Sequence, residues 1–126
     1  MTGIPKKGFL ALAFSLLLLC SAVAWSAEGI KVGVVLPLTG TEAQFGEIEW
    51  NSFQLALDEI NGAGGIKGRS IELVKEDDTG KPDVGRSAME KLITQDKVIV
   101  VGGGYSSSVT FAMSAVAQQR QVPFVV

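Results

Sequence analysis

Short apolar runs alternate with stretches of helical period along most of the chain, and this alternation is the strongest constraint on its fold. Ile30–Leu36 (IKVGVVL) is β-branched and almost continuously apolar, which reads as a strand covered on both faces. Pro37 to Gly40 ends it. Around Gln44 to Asn61 the period changes. Phe53, Ala56, Leu57 and Ile60 recur at helical spacing, and the glycine-rich stretch after Asn61 stops the helix. Ser70–Glu76 alternates, Ile71 and Leu73 against Val74, as a half-exposed edge strand does. Asp77 to Gly80 turns the chain, and Pro82 and Asp83 suit the first turn of a second helix. That helix has Val84, Ala88, Met89, Leu92 and Ile93 as its stripe. Val98–Val101 is the third strand, closed by Gly102 to Gly104. Val109, Ala112, Met113, Val116 and Ala117 form the stripe of a third helix, and Val122–Val126 begins a fourth strand.

The order β-α-β-α-β-α-β predicts an α/β fold built on a parallel sheet with right-handed crossovers. The continuous strands at 30–36 and 98–101 belong in the centre, and the amphipathic one belongs at an edge. The spatial order is therefore 2-1-3-4, with the topological switch between the first and third strands. Open α/β sheets bind ligands outside the carboxyl ends of their strands at that switch. Two segments are placed there, Pro37–Gly46 and Gly102–Ser108.

Composition removes several chemistries. There is no histidine, and Cys20 is the only cysteine. His-based acid–base catalysis, Cys/His zinc sites, Ser–His triads and a disulfide framework are excluded. A net charge of −2 gives no electrostatic footprint for nucleic acid. The Walker pattern is absent, and the partial glycine fingerprint at Gly102, Gly104 and Ser107 follows the wrong strand for a dinucleotide site. Asp77 and Asp78 lack a third ligand, so the expectation is that they bond backbone groups in their turn. No metal and no cofactor is expected.

The first 26 residues read separately. Lys6 and Lys7 precede an apolar run from Phe9 to Leu19, and Ala24-Trp25-Ser26 offers a small-residue exit before Ala27. This describes a secretory signal peptide over residues 1–26, followed by one lobe over 27–126. The apolar core is short for a membrane anchor, and Leu19 is bulky for the residue before a lipid-modified cysteine. A chain that stops inside an apolar strand is expected to be part of a longer one.

Gly102-Gly103-Gly104-Tyr105-Ser106-Ser107-Ser108 is the strongest local signal. Glycines let a ligand approach the backbone, and a helix starting near Ser107 presents unpaired N–H groups at its positive end. Serine hydroxyls beside those groups suit a carboxylate or another anion. Tyr105 can add an aromatic wall and a phenol hydrogen bond. A capped helix after a tight turn needs the same residues, and the sequence alone leaves both readings open. Phe45, in the first loop, lines a pocket or packs. Trp50 reads as packing or surface, and Lys67 and Arg69 as solvated.

IKVGVVLPLTGTEAQFG, LALDEINGAGGIKGRSIELVKEDD and VIVVGGGYSSSVT together resemble the amino-terminal lobe of periplasmic amino-acid-binding proteins of the Leu/Ile/Val type, the solute receptors of ABC importers. The resemblance runs from Ile30 to Val126. It implies a non-enzymatic periplasmic protein, expected to be monomeric, that binds a branched-chain amino acid or similar small carboxylate. It also implies a membrane permease as partner. Two lobes would close on the ligand by a hinge motion. By the same resemblance Ser106 and the N–H groups around Ser107 hold the carboxylate, Tyr105 occupies a neighbouring pocket position, and Phe45 contacts the ligand side chain. Gln44 and Gly46 keep the pattern of that loop, while Ser52 stands where a glycine is frequent. An extracytoplasmic sensing domain of a signalling receptor is the alternative use of the same module.

Overall fold

The computed structural model describes residues 28–126, so the leader expected over 1–26 lies outside the described residues. The elements are β1 (Ile30–Leu36), α1 (Ala43–Gly62), β2 (Ile71–Asp77), α2 (Pro82–Thr94), β3 (Val100–Gly103), α3 (Ser107–Arg120) and β4 (Phe124–Val125). All strand pairs are parallel, and the order across the sheet is β2-β1-β3-β4. The expected order 2-1-3-4 is the observed one. Right-handed crossovers then put α1 on one face and α2 and α3 on the other. None of the helices among the described residues is long and apolar enough to cross a membrane.

The deeper core lies on the α2–α3 side. Val35 and Val101 from the sheet meet Met89 and Leu92 of α2 and Val109 and Met113 of α3, all fully buried. Burying each such side chain stabilises the fold by about 1.5–3 kcal/mol. The two helices approach closely because α2 carries Gly85, where a Cβ would stand 2.6 Å from a Val109 methyl. Pro82 sits at the start of α2 with Asp83 in its first turn and Lys91 in its last, as the helix dipole favours. Lys91 also pairs with Glu76 of β2.

On the opposite face α1 sits over β1 and β2. Its stripe is less covered than its period implies. Phe53 and Leu57 are half-buried, but Ala56 and Ile60 stay exposed, beside a groove of about 240 Å³ that Ile71 and Leu73 also line. Val74 packs on the other face, against the α2–α3 core, as the alternation of β2 requires. The end of α1 is tied to the start of β2 by Asn61. Its side-chain amide donates to the Ile71 carbonyl at 2.9 Å, and its side-chain oxygen accepts the Ile71 N–H at 2.8 Å.

Several strand boundaries differ from the sequence reading. The third strand runs over Val100–Gly103 rather than 98–101, although Val98 is buried and the Ile99 N–H already bonds the Lys31 carbonyl. Gly102 and Gly103 therefore belong to the strand instead of closing it. Gly102 is paired beside Val34 and lies under the Phe53 ring, 3.2 Å from where a Cβ would stand. The fourth strand runs over Phe124–Val125, and it starts after Pro123, which has no N–H to give the ladder although its carbonyl accepts the Val101 N–H at 3.0 Å.

Candidate functional site

At the carboxyl ends of β1 and β3 the chain leaves the sheet in opposite directions, and the two loops with the first turns of the helices after them carry every expected site residue: Tyr105 and Ser106 in the second loop, Phe45 in α1 and Ser107 at the start of α3. Strand β1 is followed by Pro37, which is fully buried, and α1 starts almost against it. The close approach depends on Gly46: a Cβ there would lie 2.1 Å from the Pro37 carbonyl oxygen. With α1 seated this way, Phe45 projects outward at 45% exposure and stacks on Tyr105, itself 40% exposed. The ring centroids are 4.9 Å apart and the planes differ by 11°. An aromatic rim thus bridges the two loops.

Below it, Gly103 and Gly104 carry the chain from β3 to α3 with positive φ, and the Gly104 N–H donates to the Val35 carbonyl at 2.9 Å. Ser106 takes the N-cap position of α3 in extended backbone geometry. Its hydroxyl does not cap the helix. It pairs with the Ser108 hydroxyl at 3.2 Å instead, which leaves the first amides of α3 without a capping side chain. A ring of hydroxyls and free N–H groups at a positive helix end can receive a carboxylate.

The first loop is held by a residue that the sequence reading placed only in its own turn. Asp77, the last residue of β2, accepts the Leu38 and Thr39 N–H groups at 2.9 and 3.4 Å and the Thr39 hydroxyl at 2.6 Å. It also accepts the Thr79 N–H at 2.8 Å, so the expected turn bond is present as well. The signal was available, since an order with β2 beside β1 brings Asp77 level with Leu36. Burial opposes the charge on Asp77, but the Thr39 hydroxyl and the Thr79, Leu38 and Thr39 amides outweigh it and hold the carboxyl below the usual range.

This contact carries a prediction with a defined sign. A carboxyl whose native pKa is depressed stabilises the fold above its unfolded value near ~3.9, and that stability is lost as pH falls through the native value. Asp77→Ala is expected to lower stability by about 1–2 kcal/mol at neutral pH. Thermal unfolding across acid pH should show the gap to wild type closing at low pH. A gap independent of pH would contradict the assignment.

The other residues singled out earlier fall away from the rim. Trp50 is half-buried under the Lys75 ammonium, which lies 4.4 Å from its ring centroid. Arg69 is exposed as expected, yet its guanidinium donates to the Glu28 carbonyl at 3.0 Å. It lines a concavity of about 310 Å³ with Lys31, Lys97 and Asp96 at the amino ends of the strands. Helix N-termini point away from that end of the sheet and toward the switch. Among the described residues, no group of three or more acidic, His or Cys side chains is placed to hold a metal ion.

The periplasmic binding protein family model matches residues 29–126. The chain belongs to this family. An amino acid binding protein of Pseudomonas aeruginosa is 41% identical over 117 residues, covering 93% of this chain and 31% of that protein. The Leu/Ile/Val-binding protein of Escherichia coli is 38% identical over 101 residues, 80% of this chain and 26% of its own length. Among solved structures, the branched-chain amino acid transporter substrate binding protein LivJ of Streptococcus pneumoniae, in complex with isoleucine, superposes with a TM-score of 0.74 at 40% identity. It covers 76% of this chain, which spans 28% of that one. A solute binding protein of an ABC transporter from Rhodopseudomonas palustris, in complex with benzoate, gives 0.69 at 35% identity, with 77% and 27% covered. The chain thus spans between a quarter and a third of the length of these relatives.

Proposed function

We propose that this chain contributes one ligand-binding lobe to the solute-binding component of an ABC importer. The protein is exported to the periplasm by a cleaved leader over residues 1–26, catalyses no reaction, and delivers its ligand as a monomer to a membrane permease. The ligand is a small carboxylate, with a branched-chain amino acid as the first choice. The observation that carries this reading is the rim at the switch point: Ser106 and the first amides of α3 below, and the Phe45–Tyr105 stack above. Isoleucine and benzoate, the ligands named for two similar solved proteins, share a carboxylate and an apolar body. Hydroxyl and amide donors match the first group, and the aromatic faces match the second. Phe45, Tyr105, Ser106 and Ser107 are the residues assigned to binding.

Calorimetric titration of the full-length protein, after a thermal-shift screen of amino acids and aromatic acids, tests the assignment. Ser106→Ala removes a hydrogen bond to a charged group, about 1.5–3 kcal/mol, or roughly a ten- to hundredfold loss of affinity. Unfolding without ligand should be unchanged, because the Ser106 hydroxyl caps nothing. Unaltered affinity in Ser106→Ala would remove the rim from the binding site.

A further inference from the structure

Behind the rim lies a pair of carboxylates that ligand binding does not use. Asp78, in the turn after β2, is 1% exposed. Its Oδ1 accepts the Gly80 N–H at 2.8 Å, while its Oδ2 is buried with no hydrogen-bond partner. Glu42, at the start of α1, reaches the same glycine from the ligand loop. Its Oε2 lies 3.1 Å from where a Cβ on Gly80 would stand, and it too is buried and unpartnered. Its carboxylate does not cap α1. The surroundings supply no countercharge. Asp77 on β2 and Glu42 on α1 are the charged groups acting on Asp78, and Asp78 in turn acts on Glu49 of α1. Gly85 on α2 packs between Asp78 and the apolar Val109 of α3. The ion pairs among the described residues lie elsewhere, at Lys91–Glu76 and Arg120–Glu90.

An ionised Asp78, buried with one oxygen unpartnered and with the Glu42 charge acting on it, loses hydration and is repelled, and a proton on that oxygen relieves both penalties. We propose that Asp78 holds a proton on its free oxygen and donates it to the Glu42 carboxylate beside Gly80, and that this bond seats the segment from Pro37 to the first turn of α1 on the Asp78–Gly80 turn. One H⁺ is taken from solvent, an O–H bond forms on Asp78 Oδ2, and that hydroxyl donates to Glu42 Oε2. The pair then carries one negative charge instead of two. Phe45 follows Glu42 by three residues, so seating this loop also sets the Phe45 ring against Tyr105. The rim is therefore held more firmly at mildly acidic than at alkaline pH.

Burial pushes the Asp78 carboxyl up, the Gly80 N–H pulls the other way, and Asp77 and Glu42 add to the rise. Burial and the charge of Asp78 likewise raise Glu49. For a carboxyl raised in the native state the sign is the reverse of that for Asp77. The fold binds the proton where the unfolded chain does not, so stability grows as pH falls through the native value toward ~3.9.

The test is a carboxyl ¹³C NMR titration of the full-length protein without ligand, so its outcome is independent of what the rim binds. In wild type, Asp78 should titrate above the ordinary aspartate range, and the Phe45 and Tyr105 ring signals should shift with the same midpoint. Glu42→Gln removes the like charge and offers an N–H donor to Asp78. It should move the Asp78 midpoint down toward the ordinary range and abolish the coupled ring shift. An Asp78 midpoint within the ordinary range in wild type, as a bridging water would give, overturns the proposal. So does a midpoint that Glu42→Gln leaves in place. The wild-type titration decides the matter even if a variant fails to fold.

Discussion

Gly46→Ala is expected to destabilise the protein by roughly 2 kcal/mol and to weaken ligand binding, although alanine is the better helix former. On propensity alone the substitution gains about 1 kcal/mol inside a helix. Packing reverses the sign. The new Cβ would stand 2.1 Å from the Pro37 carbonyl oxygen and 2.7 Å from its carbon, both backbone atoms at the end of a buried strand. A flexible side chain could swing aside, but this neighbour cannot, so the first turns of α1 must move. Overpacking of this kind costs about 1–3 kcal/mol and occasionally more. Phe45 moves with the helix and leaves its stack on Tyr105. Gly62, at the other end of α1, is the control, since nothing lies within 4 Å of a Cβ there. Thermal unfolding of the full-length protein should show Gly46→Ala clearly below wild type and Gly62→Ala level with it or above. Equal effects at the two positions would mean that the contact with Pro37 does not set the helix.

The second large effect is expected at Gly103→Ala, about 3 kcal/mol, from two causes acting together. Gly103 has φ of +104°, where an L side chain is strained by about 1–3 kcal/mol. A Cβ would also fall 2.4 Å from the Val35 carbonyl oxygen, which accepts the Gly104 N–H. The β1–β3 pairing and the turn into α3 would both have to give way. A loss of that size is a large fraction of the 5–15 kcal/mol that holds a typical domain together. Denaturant midpoints of the full-length protein measure it. A shift no larger than that of an exposed surface substitution would show that the turn tolerates another path.

Much of this architecture could be read from residue pattern, and the reasons are local. IKVGVVL reads as a central strand because Lys31, next to its start, is its only polar residue. SIELVKE could be no central one, because its charges need water. Those two judgements, with the apolar run at 98–101 also placed in the centre, set the order 2-1-3-4 and put Phe45, Tyr105, Ser106 and Ser107 at one end of the sheet. The stripe of α3 was equally plain, and all five of its residues are buried. What escaped the sequence was contact at a distance. The grip of Asp77 on Leu38 and Thr39 spans 38 and 39 positions and comes from strand adjacency, not from any motif. Gly102 and Gly103 looked like punctuation because glycine usually is, yet the sheet takes both in, Gly102 close under Phe53 and Gly103 where the Val35 carbonyl leaves room only for hydrogen. The half-open stripe of α1 was invisible for a related reason: period shows which face turns inward, not how much covers it.

A crystal structure of the full-length protein with isoleucine or benzoate bound tests the account most directly. The carboxylate should accept hydrogen bonds from the Ser106 hydroxyl and the first amides of α3, with the apolar body of the ligand against Phe45 or Tyr105. A ligand seated away from these groups, for example among Lys31, Arg69 and Lys97 at the far end of the sheet, would contradict it.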